Sequence, residues 1–395
     1  MSRELKKFVN MQNKCKELWL FSQPSAQYGG TNQVKYKAIE ALSRGKITYR
    51  QASVTGLFTH EEKSQELYFK SLPLPVYVNN LLAGMRWKKH FSKGSVGLIV
   101  SGSAVPGAIP FASNMPYVMC IATTLFAEHV VRNSTEELSQ GNYSLAFNRT
   151  CLGFNKIIEK RVLRKAKFII SLSPYLLRSL KEVYGIDEKR VAYLPYPVLP
   201  CKRRKEMIFN KKGPRLLAVG SLNDNRKNYP FLLQSLNLFI RKYPDTRLRI
   251  VGSFSPGIKP LRVCEQLKLN PFVDFLGAIS NEALEKEFKN TDIFVLTPRQ
   301  EGLGIVYLEA MAHGVPVVTT DCGGPREIIT NDINGYLVNQ GDPTAFCDSL
   351  EKVWLVEERY QRFSDAAYQY IEKNHDPESF NEKFLSILHD HLGVG

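Results

Sequence analysis

The stretch Ile293–Thr320, IFVLTPRQEGLGIVYLEAMAHGVPVVTT, constrains the fold of this chain more than any other. Ile293–Leu296 is an apolar run long enough for a buried strand, and Pro298 ends it. Gly302 and Gly304 bracket Leu303, freeing the backbone where bare amides would approach a ligand closely. Ile305–His313 carries the helix formers Leu308, Glu309, Ala310, Met311 and Ala312, with Gly314 at the expected C-terminal cap. Pro316 then opens a second apolar run, Val317–Thr320. A strand feeding a helix N-terminus is an anion site, because free amides and the macrodipole both favour negative charge. Two carboxylates frame it: Glu301 in the loop and Glu309 inside the helix. The residues alone leave two readings open. The acids bind the hydroxyls of a phosphate-bearing ligand, or they are solvated groups of an ordinary α/β crossover.

Taken together, the two acids with seven residues between them, the glycines, the EAMA helix and the G-x-P-V-V exit resemble the E-x7-E signature of family 4 retaining glycosyltransferases. The resemblance implies an α/β protein of GT-B fold, two Rossmann-like doubly wound domains facing a central cleft. It implies transfer of a sugar from a nucleotide-diphosphate sugar to a sugar, glycan or lipid-linked acceptor, with retention of configuration. Glu301 is then expected to hold donor sugar hydroxyls, and Glu309 the ribose hydroxyls. Amides of Leu303, Gly304 and Ile305, beside Gly302, would meet sugar or phosphate, and the Gly277–Ser280 turn with Ile279 would lie beside the base. Gly29 and Gly30 match an N-terminal glycine loop that faces the diphosphate; by itself, a Gly-Gly after a strand is more often a tight turn.

A second cluster follows the strand Arg215–Val219, where Gly220-Ser221-Leu222 precedes Arg226-Lys227-Asn228. Cations behind a βα glycine can stabilise charge developing on phosphate oxygens without a metal. The segment resembles the family's G-R/S-L…K-N/G, which carries Ser221 and Lys227 over as diphosphate ligands. Its spacing is one residue longer, so Arg226 and Lys227 compete for one catalytic role. No D-x-D constellation with flanking apolar strands is present, so the expectation is catalysis without a metal and without a cofactor beyond the nucleotide-sugar co-substrate.

The acceptor side departs from the family. Gly94–Ala127 holds no charged residue, yet its glycines and prolines break it into short strands rather than a membrane span. Gly97–Val100 and Tyr117–Ile121 read as buried parallel strands. Thr123, Thr124, Glu128 and His129 follow the second strand and are the acceptor-side candidates, because substrates gather beyond the carboxyl ends of strands. Many family members carry a His within P-x-x-x-T-x-H; counting from Pro116 puts Ala122 there. Likewise Pro195-Tyr196-Pro197 stands where P-N-G is common.

With 395 residues, the chain is expected to form two domains. Residues 1–198 are read as acceptor-binding, 199–214 as a basic linker and 215–375 as donor-binding, with the helix at 376–395 packing back on the first domain. Met1–Lys16 is polar and lysine-rich, which reads as no signal segment. Seven scattered cysteines without a C-x-x-C pair suit a reducing cytosol. The net charge of +15 resides in residues 1–200, with 28 Lys+Arg against 13 Asp+Glu. Within that half, Lys156–Lys167 places six basic residues around Ile157, Ile158, Val162 and Leu163 at helical spacing, a face suited to an anionic membrane surface or to simple solvation. The expectation is a cytoplasmic protein, peripheral on a membrane. No nucleic-acid recognition motif accompanies the charge. The alternative is a nucleotide-sugar-binding or membrane-docking protein of the same fold without transfer activity.

Overall fold

The computed structural model describes residues 16–22, 30–55, 66–70, 76–101, 104–124, 155–201 and 212–394. Gly29, Glu128, His129 and residues 202–211 of the expected linker lie outside these. The strands form two sheets. The first comprises β1 (Leu18–Phe21), β2 (Tyr49–Thr55), β3 (Glu66–Lys70), β4 (Val96–Ser101), β5 (Tyr117–Ile121), β6 (Phe168–Ser171) and β7 (Val191–Tyr193), in the order β3-β2-β1-β4-β5-β6-β7. The second comprises β8 (Arg215–Val219), β9 (Arg247–Val251), β10 (Val273–Gly277), β11 (Ile293–Leu296), β12 (Val317–Thr320) and β13 (Gly335–Val338), in the order β10-β9-β8-β11-β12-β13. All pairings between them are parallel. Each sheet starts at its middle, winds to one edge and returns to wind to the other. This doubly wound order puts switch points at β1/β4 and β8/β11, where such sheets bind ligands.

Sequence explains the layers. β4, β5, β6, β11 and β12 are buried along their whole length, as parallel strands covered on both faces must be. The uncharged stretch around β4 and β5 is therefore sheet core. Among the described residues no helix is long and apolar enough to cross a membrane. Side-chain caps set several helix starts: Ser173 accepts from Leu176 N, Ser280 from Ala283 N, Asp342 from Ala345 N and Asp376 from Ser379 N. The first described helix spans Gly30–Arg44. Gly30, Thr31 and Asn32 look like a turn, but a helix's first turn tolerates poor helix formers because its amides have no intrahelical partner.

The carboxyl ends of the two sheets face each other. Gly302, beyond β11, packs so closely on Ala122 and Thr123, beyond β5, that a Cβ there would lie 2.9 Å from the Ala122 carbonyl oxygen. Gly323, beyond β12, lies against the ring of Tyr175, beyond β6. Arg178 pairs with Glu327 across the same junction. The chain passes between the sheets twice. Val198 N donates to His375 O at 3.0 Å, Cys201 N to Ala312 O at 3.0 Å, and His375 Nδ1 lies 2.8 Å from Tyr196 O. The last helix, Pro377–Leu392, then lies on the first sheet, stacking His391 on Phe168 at 4.2 Å and accepting Lys16 Nζ at Leu392 O, 2.6 Å.

Candidate functional site

Loops at the carboxyl ends of β8, β11 and β12 are laced into one structure. Arg299 N donates to Arg226 O at 2.7 Å, and Thr297 Oγ1 to Asn228 O at 3.1 Å, joining the β11 exit to the β8 exit. Thr320 Oγ1 donates to Pro298 O at 2.5 Å, and Gly324 N to Glu301 O at 2.8 Å, joining it to the β12 exit. The Glu301 backbone is thus held on two sides before its side chain makes any contact.

That side chain meets Lys227. Lys227 Nζ lies 2.5 Å from Glu301 Oε2, with side chains 15% and 16% exposed. A pair this sheltered is screened less than a surface ion pair. Gly220 makes room for it, because a Cβ there would stand 3.2 Å from Lys227 Cε and 3.3 Å from the Tyr229 hydroxyl, which donates to Gly220 O at 2.8 Å. The structure separates the two rivals. Arg226 turns away and grips Asp224 through Nη2 at 2.7 Å and Nε at 3.0 Å, with Nη1 3.4 Å from Gln300 Oε1. Burial works to raise the Asp224 carboxyl, but the Arg226 hydrogen bonds and charge outweigh it and hold it below the ordinary carboxylate range.

Gly304 starts the helix Ile305–Ala312 in the left-handed conformation, φ 74°, and offers no side-chain cap. The first-turn amides therefore have no N-cap side chain to accept from them, and no acidic residue sits in that turn to neutralise their field. One turn further, Glu309 points to the other sheet. Gln33 Nε2, from the first helix, donates to Glu309 Oε1 at 2.7 Å. Glu309 Oε2 is sealed from solvent and has no hydrogen-bond partner among the described residues. Burial pushes this carboxyl up to about 7, with the Gln33 hydrogen bond pulling the other way.

Ser221 Oγ lies 3.2 Å from Ser253 O, tying the β8 and β9 exits, while Gly252 N donates to Gly277 O at 2.9 Å and joins the β10 exit where Ile279 sits half-buried. Thus Gly220, Ser221, Lys227, Ile279, Glu301–Ile305 and Glu309 all lie along the carboxyl ends of the second sheet. Gly30 opens the first helix opposite them. Thr123 lies at the contact with Gly302; Thr124 is 1% exposed and hydrogen-bonded to Tyr184. Gln33, Asp224 and Gln300 were not singled out from sequence, since no spacing distinguishes a polar residue in a helix start or loop from a solvated one.

Two doubly wound parallel sheets with facing carboxyl ends, and an uncapped helix start between them, define the GT-B architecture. Solved structures carry the same fold. Sucrose-phosphate synthase from Thermosynechococcus elongatus matches with a TM-score of 0.73 at 15% identity, covering 95% of this chain and 98% of that one. HepE of Anabaena in complex with UDP-glucose matches with a TM-score of 0.67 at 14% identity, covering 94% and 99%. In sequence, residues 202–370 match the family model described as Glycosyl transferases group 1. Mannosylfructose-phosphate synthase of Agrobacterium fabrum is 28% identical over 220 residues, 51% of this chain and 48% of that protein. The chain spans about half the length of the first curated relatives it matches.

Proposed function

We propose that the chain is a retaining glycosyltransferase that moves a sugar from a nucleotide-diphosphate sugar to a glycan or lipid-linked acceptor. The Lys227–Glu301 pair beside the uncapped start of Ile305–Ala312 carries this reading. A donor replaces the pair's internal contact on both sides: its diphosphate takes Lys227 and the amides of Leu303 to Ile305, and its sugar hydroxyls donate to Glu301. As the anomeric bond breaks, negative charge grows on the leaving diphosphate, where a fixed cation and a helix start stabilise it. Glu309 takes the ribose hydroxyls, and the Gly277–Ser280 turn borders the base. Retention follows from the E-x7-E resemblance. Metal independence is proposed because Lys227 and the amides already supply the positive field. The first sheet presents the acceptor wall, with Thr123 at its edge, and the basic face of the first unit seats the protein on an anionic membrane in the cytoplasm.

The test is donor turnover without acceptor. Purified protein incubated with UDP-, GDP- and ADP-sugars in chelator is expected to release one nucleoside diphosphate slowly, and Glu301→Gln to release it at least about 100-fold more slowly while remaining folded. Binding without release from any donor would make the chain a binder. Activity lost in chelator and restored by Mg²⁺ or Mn²⁺ would remove metal independence, and normal turnover in Glu301→Gln would remove that residue from the site.

A further inference from the structure

Glu309 lies on a second-sheet helix, yet the side chain that fixes it comes from the first. Gln33 Nε2 reaches Glu309 Oε1 at 2.7 Å, while Glu309 Oε2 is sealed and has no donor among the described residues. A carboxylate oxygen left without a donor away from water is costly, so this arrangement calls for a ligand hydroxyl or a proton. We propose that Gln33 is a positioning residue for the donor: by holding Oε1 across the junction it aims Oε2 at the ligand, and it makes donor affinity depend on the two sheets being together. The inference rests on the donor reading of Glu309.

The surroundings leave this task to Gln33. From its own helix, Glu309 meets His313 only through its backbone carbonyl, 2.8 Å from His313 Nδ1. From the connecting segment, Tyr196 and Cys201 face it; burial is the main cause that raises the pKa of both, and the Glu309 charge adds to it. Glu40, on the same helix as Gln33, acts on Tyr196, while Glu285 and Lys289 act on Cys201 and His313. Among the described residues, Gln33 supplies the one hydrogen bond that favours the ionised form of Glu309 against its burial. Without it the carboxyl is protonated at higher pH and accepts donor hydroxyls less well.

Calorimetric titration with UDP, GDP and ADP, from about pH 5.5 to 8.5, tests this on wild type, Gln33→Met, Gln33→Lys and Glu309→Gln. Methionine keeps the packing volume and removes the amide. For whichever diphosphate binds wild type, Gln33→Met is expected to lose roughly tenfold in affinity near neutral pH, with the acid decline beginning at higher pH. Gln33→Lys places a cation on Glu309 and is expected to move that decline below the wild-type position. A purely structural glutamine would lower melting temperature in both variants and leave the decline in place, which overturns the proposal. If Glu309→Gln loses binding while Gln33→Met binds as wild type does, the positioning role alone falls. If Glu309→Gln binds unchanged, or wild type binds none of the three, the donor reading falls with it.

Discussion

Adjacent cations in one loop do different work because their neighbours differ. Lys227 extends to Glu301, at the point where a leaving diphosphate would develop charge, whereas Arg226 is committed to Asp224 and Gln300. Lys227→Ala is therefore expected to lower kcat by about 10²–10³ and, because it leaves Glu301 as sheltered as Asp224, to cost about 1–3 kcal/mol of stability as well. Arg226→Ala leaves Asp224 sheltered and unpaired, and is expected to cost about 1–3 kcal/mol of stability with a smaller kinetic effect. Urea unfolding and steady-state kinetics on the two variants check the division, and equal kinetic losses would restore the rivalry seen in the sequence. Glu309 shows the reverse trade. Burial raises its folded pKa to about 7, above the ordinary carboxyl value, so between the two the folded state holds a proton that the unfolded chain releases. The cost of keeping it ionised is full above about pH 7 and is lifted as pH falls toward the unfolded value. Glu309→Gln is thus expected to stabilise the ligand-free protein by up to about 3 kcal/mol above that pH, an advantage that shrinks on acidification. A variant no more stable at pH 8 than at pH 5 would show that the carboxylate carries no such cost. Glu301 and Glu309 were legible as a pair because their spacing within a glycine-punctuated crossover is itself a pattern. Gln33 was not, since what defines it is a contact across the junction between sheets.

Elements of the second sheet were legible to the residue in several places, including Arg215–Val219, Ile293–Leu296 and Val317–Thr320. Short apolar runs bounded by glycine or proline leave little freedom for their ends. The first sheet's edge was not recognised. Tyr49–Thr55 (YRQASVT) and Glu66–Lys70 (ELYFK) mix polar and apolar residues and lack a clear apolar run; β2 pairs with β1 on one side, and β3 adds to β2 as the edge strand. The glycines of the E-x7-E loop are specified at the element scale too. Gly304 combines φ 74° with a Cβ direction 2.2 Å from Tyr307 Cδ2. Tyr307 cannot yield easily: it is fully buried, edge-on to Phe294 at 5.7 Å, and its hydroxyl accepts from Thr319 Oγ1 at 3.1 Å. Gly304→Ala is expected to cost about 2–4 kcal/mol, from left-handed strain plus overpacking. Gly341 has φ 86° but nothing within 4 Å of its Cβ direction, so Gly341→Ala isolates the strain at about 1–2 kcal/mol. Equal losses in chemical denaturation would mean that the Tyr307 ring adapts.

Across the whole molecule, charge and chemistry fall on opposite units. The second sheet carries the anion-ready loops, yet the net charge of +15 belongs to residues 1–200. Part of that excess lies on the helix at 155–165, where Ile158, Val162 and Leu163 face inward while Lys156, Arg161, Arg164 and Lys165 are exposed, as is Lys167 just beyond its end. Ile157 is 52% exposed on the same outer side, an apolar contact among cations. Arg164 also serves the fold, donating from Nε to Tyr184 O at 3.2 Å. The others are free to be changed without breaking a described hydrogen bond of their side chains, apart from Lys156, whose partnering makes it a poor choice. Reversing Arg161, Lys165 and Lys167 to glutamate therefore separates docking from folding. Each basic residue near an anionic surface contributes about 1 kcal/mol, so the triple variant is expected to lose at least roughly 100-fold in partition to vesicles containing phosphatidylglycerol. Its affinity for a nucleoside diphosphate should stay unchanged, because the proposed donor site lies on the other sheet's loops. Raising salt should weaken the wild-type partition alone, since exposed charges are screened within about 10 Å at 0.1 M. Vesicle sedimentation at two salt concentrations checks both. Wild-type protein that ignores anionic vesicles would leave this face solvated charge, and the excess would serve only to keep the chain soluble.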